Sequence, residues 1–189
     1  GETLAFGLTD DAALIRPRPC TDLVVTTDGM VEGVHFFADD PPDRIARKLL
    51  RVNLSDLAAK GARPRGYVLV SAWPAGLAPS WIEAFVAGLA ADQQQYGIGL
   101  LGGDTVRTPG PLSLTLTAFG EIAAGAILRR NGARPGDAIC VSGCIGDAGL
   151  GLALRQGKLP GVAAADAAYL LDRHQLREPR LALGQALVG

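Results

Sequence analysis

Asp10 and Asp11, Asp28, Asp56 and Asp104 each stand beside small residues, and most of them fall at an expected strand end or a glycine turn. Carboxylates gathered from several strand ends are one way to hold Mg²⁺. That hard cation takes oxygen ligands and shares them with substrate phosphates. The alternative is that these are ordinary turn and cap residues, positions that Asp favours. Asn53-Leu54-Ser55-Asp56 places three polar groups in an otherwise apolar helical stretch, which favours a site, although a solvated face gives the same pattern. No serine or cysteine has a recognisable base beside it, and neither His35 nor His174 has triad-like local context. No protein nucleophile is therefore expected.

Other phosphate motifs are weak or missing. No G-x-x-x-x-G-K-[ST] loop occurs, which excludes a P-loop. Gly143 to Gly151 is glycine-rich before a helix and could receive phosphate at the helix N-terminus, or it could be a close packing turn. Arg129-Arg130 could clamp a phosphate or be a solvated pair in a loop.

The elements that must position these groups alternate between strand and helix patterns. Residues 22–27 predict a strand ending in Thr26-Thr27-Asp28, and Pro41-Pro42 opens a helix to about Lys60, stopped by Gly61. Tyr67–Ala72 predicts a second strand. Ser80-Trp81-Ile82-Glu83 has capping-box spacing at the head of a helix ending near Gly97. Ile98–Leu101 predicts a short strand running into Gly102-Gly103-Asp104. From Leu112 to Ala118, apolar residues alternate with Ser113, Thr115 and Thr117, as in a half-buried strand. After the turn cluster at 132–137, a strand is expected at Ala138–Ser142, then an Ala/Leu helix, a helix over 163–173 and a last one after Pro179. The fold class is α/β or α+β, with a boundary near residue 132.

Composition narrows the function classes. At 189 residues, 48% hydrophobic and 20% charged, the chain is globular rather than disordered. Eighteen basic against nineteen acidic residues give a net charge of -1, which argues against a nucleic-acid or polybasic membrane surface. No apolar run approaches the roughly 18 residues of a membrane span, and no signal-peptide pattern opens the chain. Cys20, Cys140 and Cys144 form no disulfide framework or zinc set, so neutral or buried thiols in a reducing compartment are expected.

Several segments occur together in one order: Leu8-Thr9-Asp10-Asp11-Ala12-Ala13, Thr26-Thr27-Asp28 through Glu32-Gly33-Val34-His35-Phe36, Asn53-Leu54-Ser55-Asp56, and Gly102-Gly103-Asp104-Thr105. With Arg130-Asn131-Gly132 and Ser142-Gly143-Cys144-Ile145-Gly146-Asp147, they resemble the thiamine-monophosphate kinase family of the aminoimidazole-ribonucleotide-synthetase-like superfamily. The resemblance covers essentially the whole chain, and four ordered motifs at matching spacing are highly specific. It implies Mg²⁺-dependent transfer of the ATP γ-phosphoryl group to thiamine monophosphate. It also implies an N-terminal mixed sheet with helices on one side, a homodimer formed through that sheet, and a cytoplasmic location. By motif position, Asp11, Thr26, Thr27, Asp28, Asp56 and Asp104 would be metal ligands. Gly103, Asp104 and Arg130 would contact ATP, and His35 the substrate.

The resemblance has departures. Thr9 stands where the family has glycine and Lys60 where it has methionine; neither is a proposed ligand. Members run well past 300 residues, so residues 1–132 are expected to be the metal, ATP and dimerisation domain and 133–189 the opening of a second α/β domain. Two alternatives stay open: another ATP-using enzyme of the superfamily, such as a hydrogenase-maturation or selenophosphate-synthesis relative, and an inert dimerisation or nucleotide-binding fragment. Asp28, Asp56 and Asp104 are expected to share one Mg²⁺ site, and Asp92 to be an ordinary helical aspartate.

Overall fold

The computed structural model describes residues 2–188. They form a small hairpin, β1 (Glu2–Leu4) and β2 (Leu14–Arg16), followed by β3 (Thr21–Val31), α1 (Pro42–Ala59), β4 (Arg63–Pro74), α2 (Pro79–Tyr96), β5 (Leu100–Thr108) and β6 (Ser113–Ala123). Two helices follow, α3 (Asp147–Arg155) and α4 (Ala164–Gln175), and then α5 (Leu181–Ala186). The chain divides into two compact units, one of Gly1–Arg129 with Glu178–Gly189 and one of Arg130–Arg177.

The first unit is built on a four-stranded mixed sheet of order β3-β6-β4-β5. Strand β6 runs antiparallel to both neighbours, and β4 pairs with β5 in parallel. Parallel strands need a crossover, and α1 and α2 supply the two that this order demands. Helix α1 buries Ile45, Leu49, Leu50, Leu54 and Leu57, the three- and four-residue stripe of its sequence. These side chains pack with Phe85 and Leu89 of α2, Tyr67 of β4, and Leu114, Leu116 and Ala118 of β6 in one core. The opposite face of the sheet keeps Leu23, Val25, Val70 and Val106 exposed.

Buried ion pairs tie these elements together. Asp92 of α2 is fully buried and is bonded by Arg51 through Nε at 2.6 Å and Nη2 at 2.9 Å, and by Arg47 Nε at 2.9 Å. Burial alone would lower the Arg51 pKa, but the bond to Asp92 and its charge overcome this and hold it above the ordinary value. The guanidinium also lies 5.4 Å from the Tyr96 ring centroid. Asp92 is therefore a staple between α1 and α2, not an ordinary helical aspartate. Glu121 of β6 plays the same part elsewhere: Arg18 Nε reaches its Oε2 at 2.9 Å, and Arg65 Nε lies 3.5 Å from Oε1.

Four sequence expectations are corrected. Helix α2 starts one residue before Ser80, with Pro79 in its first turn and Ala78 as N-cap, and no side chain caps it. Proline takes the first helical position because its missing N–H has no partner there anyway, so the capping box does not form. Strand β5 runs straight through Gly102-Gly103-Asp104, which is therefore not a turn. No strand forms at 138–142. The described residues of the second unit hold α3, α4 and a 3-10 turn, so the segment has no ladder to join, and Ile139 is 95% exposed. Of the expected buried or neutral thiols, the buried alternative does not hold, since all three cysteines are free and exposed.

Candidate metal and nucleotide site

The motif residues of the first unit gather beside the two outer strands of the sheet. At the β3 side, Thr26 Oγ1 donates to Asp56 Oδ2 at 2.8 Å, joining β3 to α1. The three polar groups at 53–56 thus separate: Asn53 is buried and donates to Leu49 O at 3.0 Å, while Asp56 turns towards β3. Neighbouring residues on a strand face opposite ways. Thr27 accordingly accepts from Thr117 Oγ1 at 3.0 Å and donates to Leu116 O at 3.2 Å, away from Asp56. Asp28 lies within β3, which continues to Val31, rather than at its end.

Beyond β3 the chain turns tightly. The Val31 N–H donates to His35 Nδ1 at 3.0 Å, His35 N–H donates to Val31 O at 2.9 Å, and Lys48 Nζ donates to His35 O at 2.7 Å.

At the β5 side a cavity of about 550 Å³ opens between the sheet, α2 and the segment after β1. Asp10, Asp11, Gly102, Gly103, Asp104 and Thr105 line it, with Trp73, Phe85 and Leu89 as its apolar wall. Trp81 stacks on Phe85 at 5.4 Å, and Trp73 meets both edge-on, which stiffens that wall. Gly103 is required by packing: a Cβ there would collide with the Leu69 carbonyl oxygen of the adjacent strand. Asp10 Oδ1 accepts from Asp11 N and Asp104 Oδ1 from Thr105 N, both at 2.8 Å. Ser71 Oγ and Thr105 Oγ1 are 3.2 Å apart, a pair that no sequence motif signals. The lining contains three aspartates and no lysine, arginine or histidine.

One chain does not unite the two sets. Asp104 is in register with Val70, Val70 with Thr115, and Thr115 with Gly29. Asp28 and Asp104 are thus about three strand spacings apart, roughly 14 Å. Among the described residues no group of three His, Cys, Asp or Glu could hold a metal ion. The expected single site of Asp28, Asp56 and Asp104 is therefore not assembled within one copy. Arg130 belongs to the second unit, exposed in a 3-10 turn. In that unit Gly151 is a packing residue, since a Cβ would collide with Leu170 O of α4. Tyr169 donates to Asp147 at 2.7 Å, a bond that raises the tyrosine pKa.

The donors fit Mg²⁺ in kind, being carboxylates and hydroxyls without sulfur or imidazole. The acidic cavity fits it in charge as well, because a polyphosphate cannot approach three carboxylates unless a cation intervenes.

Residues 9–122 match the family described as AIR synthase related protein, N-terminal domain. A thiamine-monophosphate kinase of Caulobacter vibrioides is 49% identical over 187 residues, covering 99% of this chain and 52% of the relative. A crystal structure of thiamine-monophosphate kinase from Stenotrophomonas maltophilia superposes with a TM-score of 0.86 at 45% identity, covering 96% of this chain and 58% of that one. AaThiL, solved in complex with AMPPCP and TMP, superposes with a TM-score of 0.81 at 29% identity, covering 94% and 56%. The chain spans about half the length of the curated relatives it matches.

Proposed function

The chain belongs to the AIR synthase related family through its N-terminal domain, and from that premise we propose that it forms the first part of a thiamine-monophosphate kinase. The whole enzyme transfers the γ-phosphoryl group of ATP to the phosphate of thiamine monophosphate, giving thiamine diphosphate. The observation that carries this reading is the cavity beside β5, lined by Asp10, Asp11 and Asp104 with no basic side chain. It suits a nucleotide only as its magnesium complex. Bound Mg²⁺ supplies charge neutralisation between donor and acceptor phosphates, both anionic.

The protein's own groups then bind and orient. Asp11, Asp28, Asp56 and Asp104, with Thr26 and Thr27, would hold the metal. As an outer strand, β5 turns alternate backbone groups away from β4, where they can meet a ligand or another strand. Arg130 clamps phosphate as a fixed fork of donors, and His35 meets the thiamine substrate.

We further propose that the enzyme is a homodimer that joins the β3 edge of one copy to the β5 edge of the other. That arrangement brings Thr26, Asp28 and Asp56 beside Asp104 of the partner subunit, which one copy cannot do. It also covers the exposed Leu23, Val25, Val70 and Val106. Three free, exposed cysteines suit a reducing cytoplasm, and no helix among the described residues is long and apolar enough to cross a membrane.

Titration of the 189-residue chain with a non-hydrolysable ATP analogue and thiamine monophosphate tests the reading. Saturable binding of the nucleotide with Mg²⁺, abolished by chelator, is the expected result; binding indifferent to chelator rejects it. Turnover by this chain alone is expected far below the roughly 1 per second common among enzymes, because residues beyond it complete the site.

A further inference from the structure

The turn that carries His35 fixes its backbone at both ends and ties one ring nitrogen. Its N–H is bonded to Val31 O at 2.9 Å, and its carbonyl accepts from Lys48 Nζ at 2.7 Å. The imidazole Nδ1 accepts from the Val31 N–H at 3.0 Å. Gly33 N–H bonds to Phe36 O at 2.8 Å, and Phe36, 3% exposed, anchors the far end in the core. An imidazole nitrogen that accepts a backbone N–H carries no proton, so in the neutral ring the proton sits on the other nitrogen. The residue as a whole is exposed.

We propose that Val31 and Lys48 hold His35 as the Nε2–H tautomer, a preset donor to an oxygen of a phosphomonoester substrate, with Lys48 as the positioning residue. The donor role rests on the reading of His35 as a substrate contact; the tautomer rests on the turn alone. Lys48 reaches across from α1, so the helix that carries Asp56 also fixes the residue that meets the acceptor. One rigid element then sets the spacing between metal ligand and substrate contact, where small misplacements are costly. Neither Val31 nor Lys48 has a sequence signature for this task, because the contact joins a turn to a helix 13 residues later.

Nitrogen-15 NMR of the histidine-labelled 189-residue chain tests this directly, since only His35 and His174 contribute and His35→Gln assigns the signals. The expected His35 pattern is an unprotonated, pyridine-type Nδ1 and a protonated, pyrrole-type Nε2. The opposite pattern, or averaging between tautomers, overturns the proposal without any variant having to fold. Lys48→Met removes the donor and keeps the stem; it should move the signals towards the tautomer average, and Lys48→Arg should restore them. Signals unmoved in a folded Lys48→Met chain remove Lys48 from the account. Thiamine monophosphate added with Mg²⁺ and the ATP analogue should shift Nε2 more than Nδ1. Unshifted signals from a chain with the expected tautomer overturn the substrate reading and the donor role with it, and leave the tautomer standing.

Discussion

Two kinds of carboxylate share this fold, and their surroundings separate them. Between α1 and α2, Asp92 is buried and held by Arg47 and Arg51; in the sheet, Glu121 is buried against Arg18 and Arg65. At the sheet edges, Asp10, Asp11, Asp56 and Asp104 are bonded by backbone N–H groups or a threonine hydroxyl, or line a cavity. Among the described residues none of these four makes an ion pair. A carboxylate with its own arginine is part of the scaffold. Carboxylates without an arginine of their own are, on the function proposed above, where Mg²⁺ would sit.

The largest effect should come from the scaffold set. Asp92→Ala leaves Arg51 buried without its partner, which costs about 3–5 kcal/mol, read as a fall in melting temperature or in the denaturant midpoint. Asp104→Asn should change stability by less than about 0.5 kcal/mol and yet lose the response to Mg²⁺-ATP. In the unaltered chain that response is about 2.7 kcal/mol at a hundredfold excess over Kd. If Asp92→Ala were as mild as Asp104→Asn, the division into two kinds would fail.

Tyr67 sharpens the comparison with a buried group that has no ion at all. Burial raises its pKa to about 12, against a weaker opposing effect of the Gln93 bond. The folded state therefore keeps the phenolic proton where the unfolded state loses it. The associated stability is complete below pH 10 and is lost between pH 10 and about 12. Its size is on the order of 2 kcal/mol, and Tyr67→Phe should flatten that alkaline fall relative to the unaltered chain. An unchanged alkaline slope would mean that Tyr67 is not the group responsible.

The smallest effect belongs to the link at the β3 edge. Thr26→Val removes the donor to Asp56 and should cost about 1 kcal/mol in thermal unfolding, with Mg²⁺-ATP binding weakened rather than abolished. Binding left unchanged would take the Thr26 hydroxyl off the metal.

Helix α1, the β6 alternation and the Gly97 helix end were legible in the sequence because each depends on local periodicity or one backbone conformation. The acidic motifs were legible as residues and not as a geometry. Gly102-Gly103-Asp104 resembles a turn until β4 lies beside it, and then Gly103 is what lets the two strands meet. Residues 138–142 carry a strand pattern, but a strand also needs a partner, which local sequence does not reveal. Asp92 resembled any helical aspartate because its arginines lie 41 and 45 residues away. The separation of Asp28 from Asp104 follows from strand order alone, which no spacing rule encodes.

The central claim is that the acidic sets of the two sheet edges meet between copies to hold Mg²⁺-ATP. Asp28→Asn and Asp104→Asn chains, each purified, should bind little Mg²⁺-ATP alone by isothermal titration calorimetry. When the two are mixed and allowed to exchange subunits, half of the dimers are mixed and each has one intact site, so about a quarter of the sites should return. A mixture as silent as its components, under conditions where native mass spectrometry with one chain isotope-labelled confirms mixed dimers, would contradict the claim.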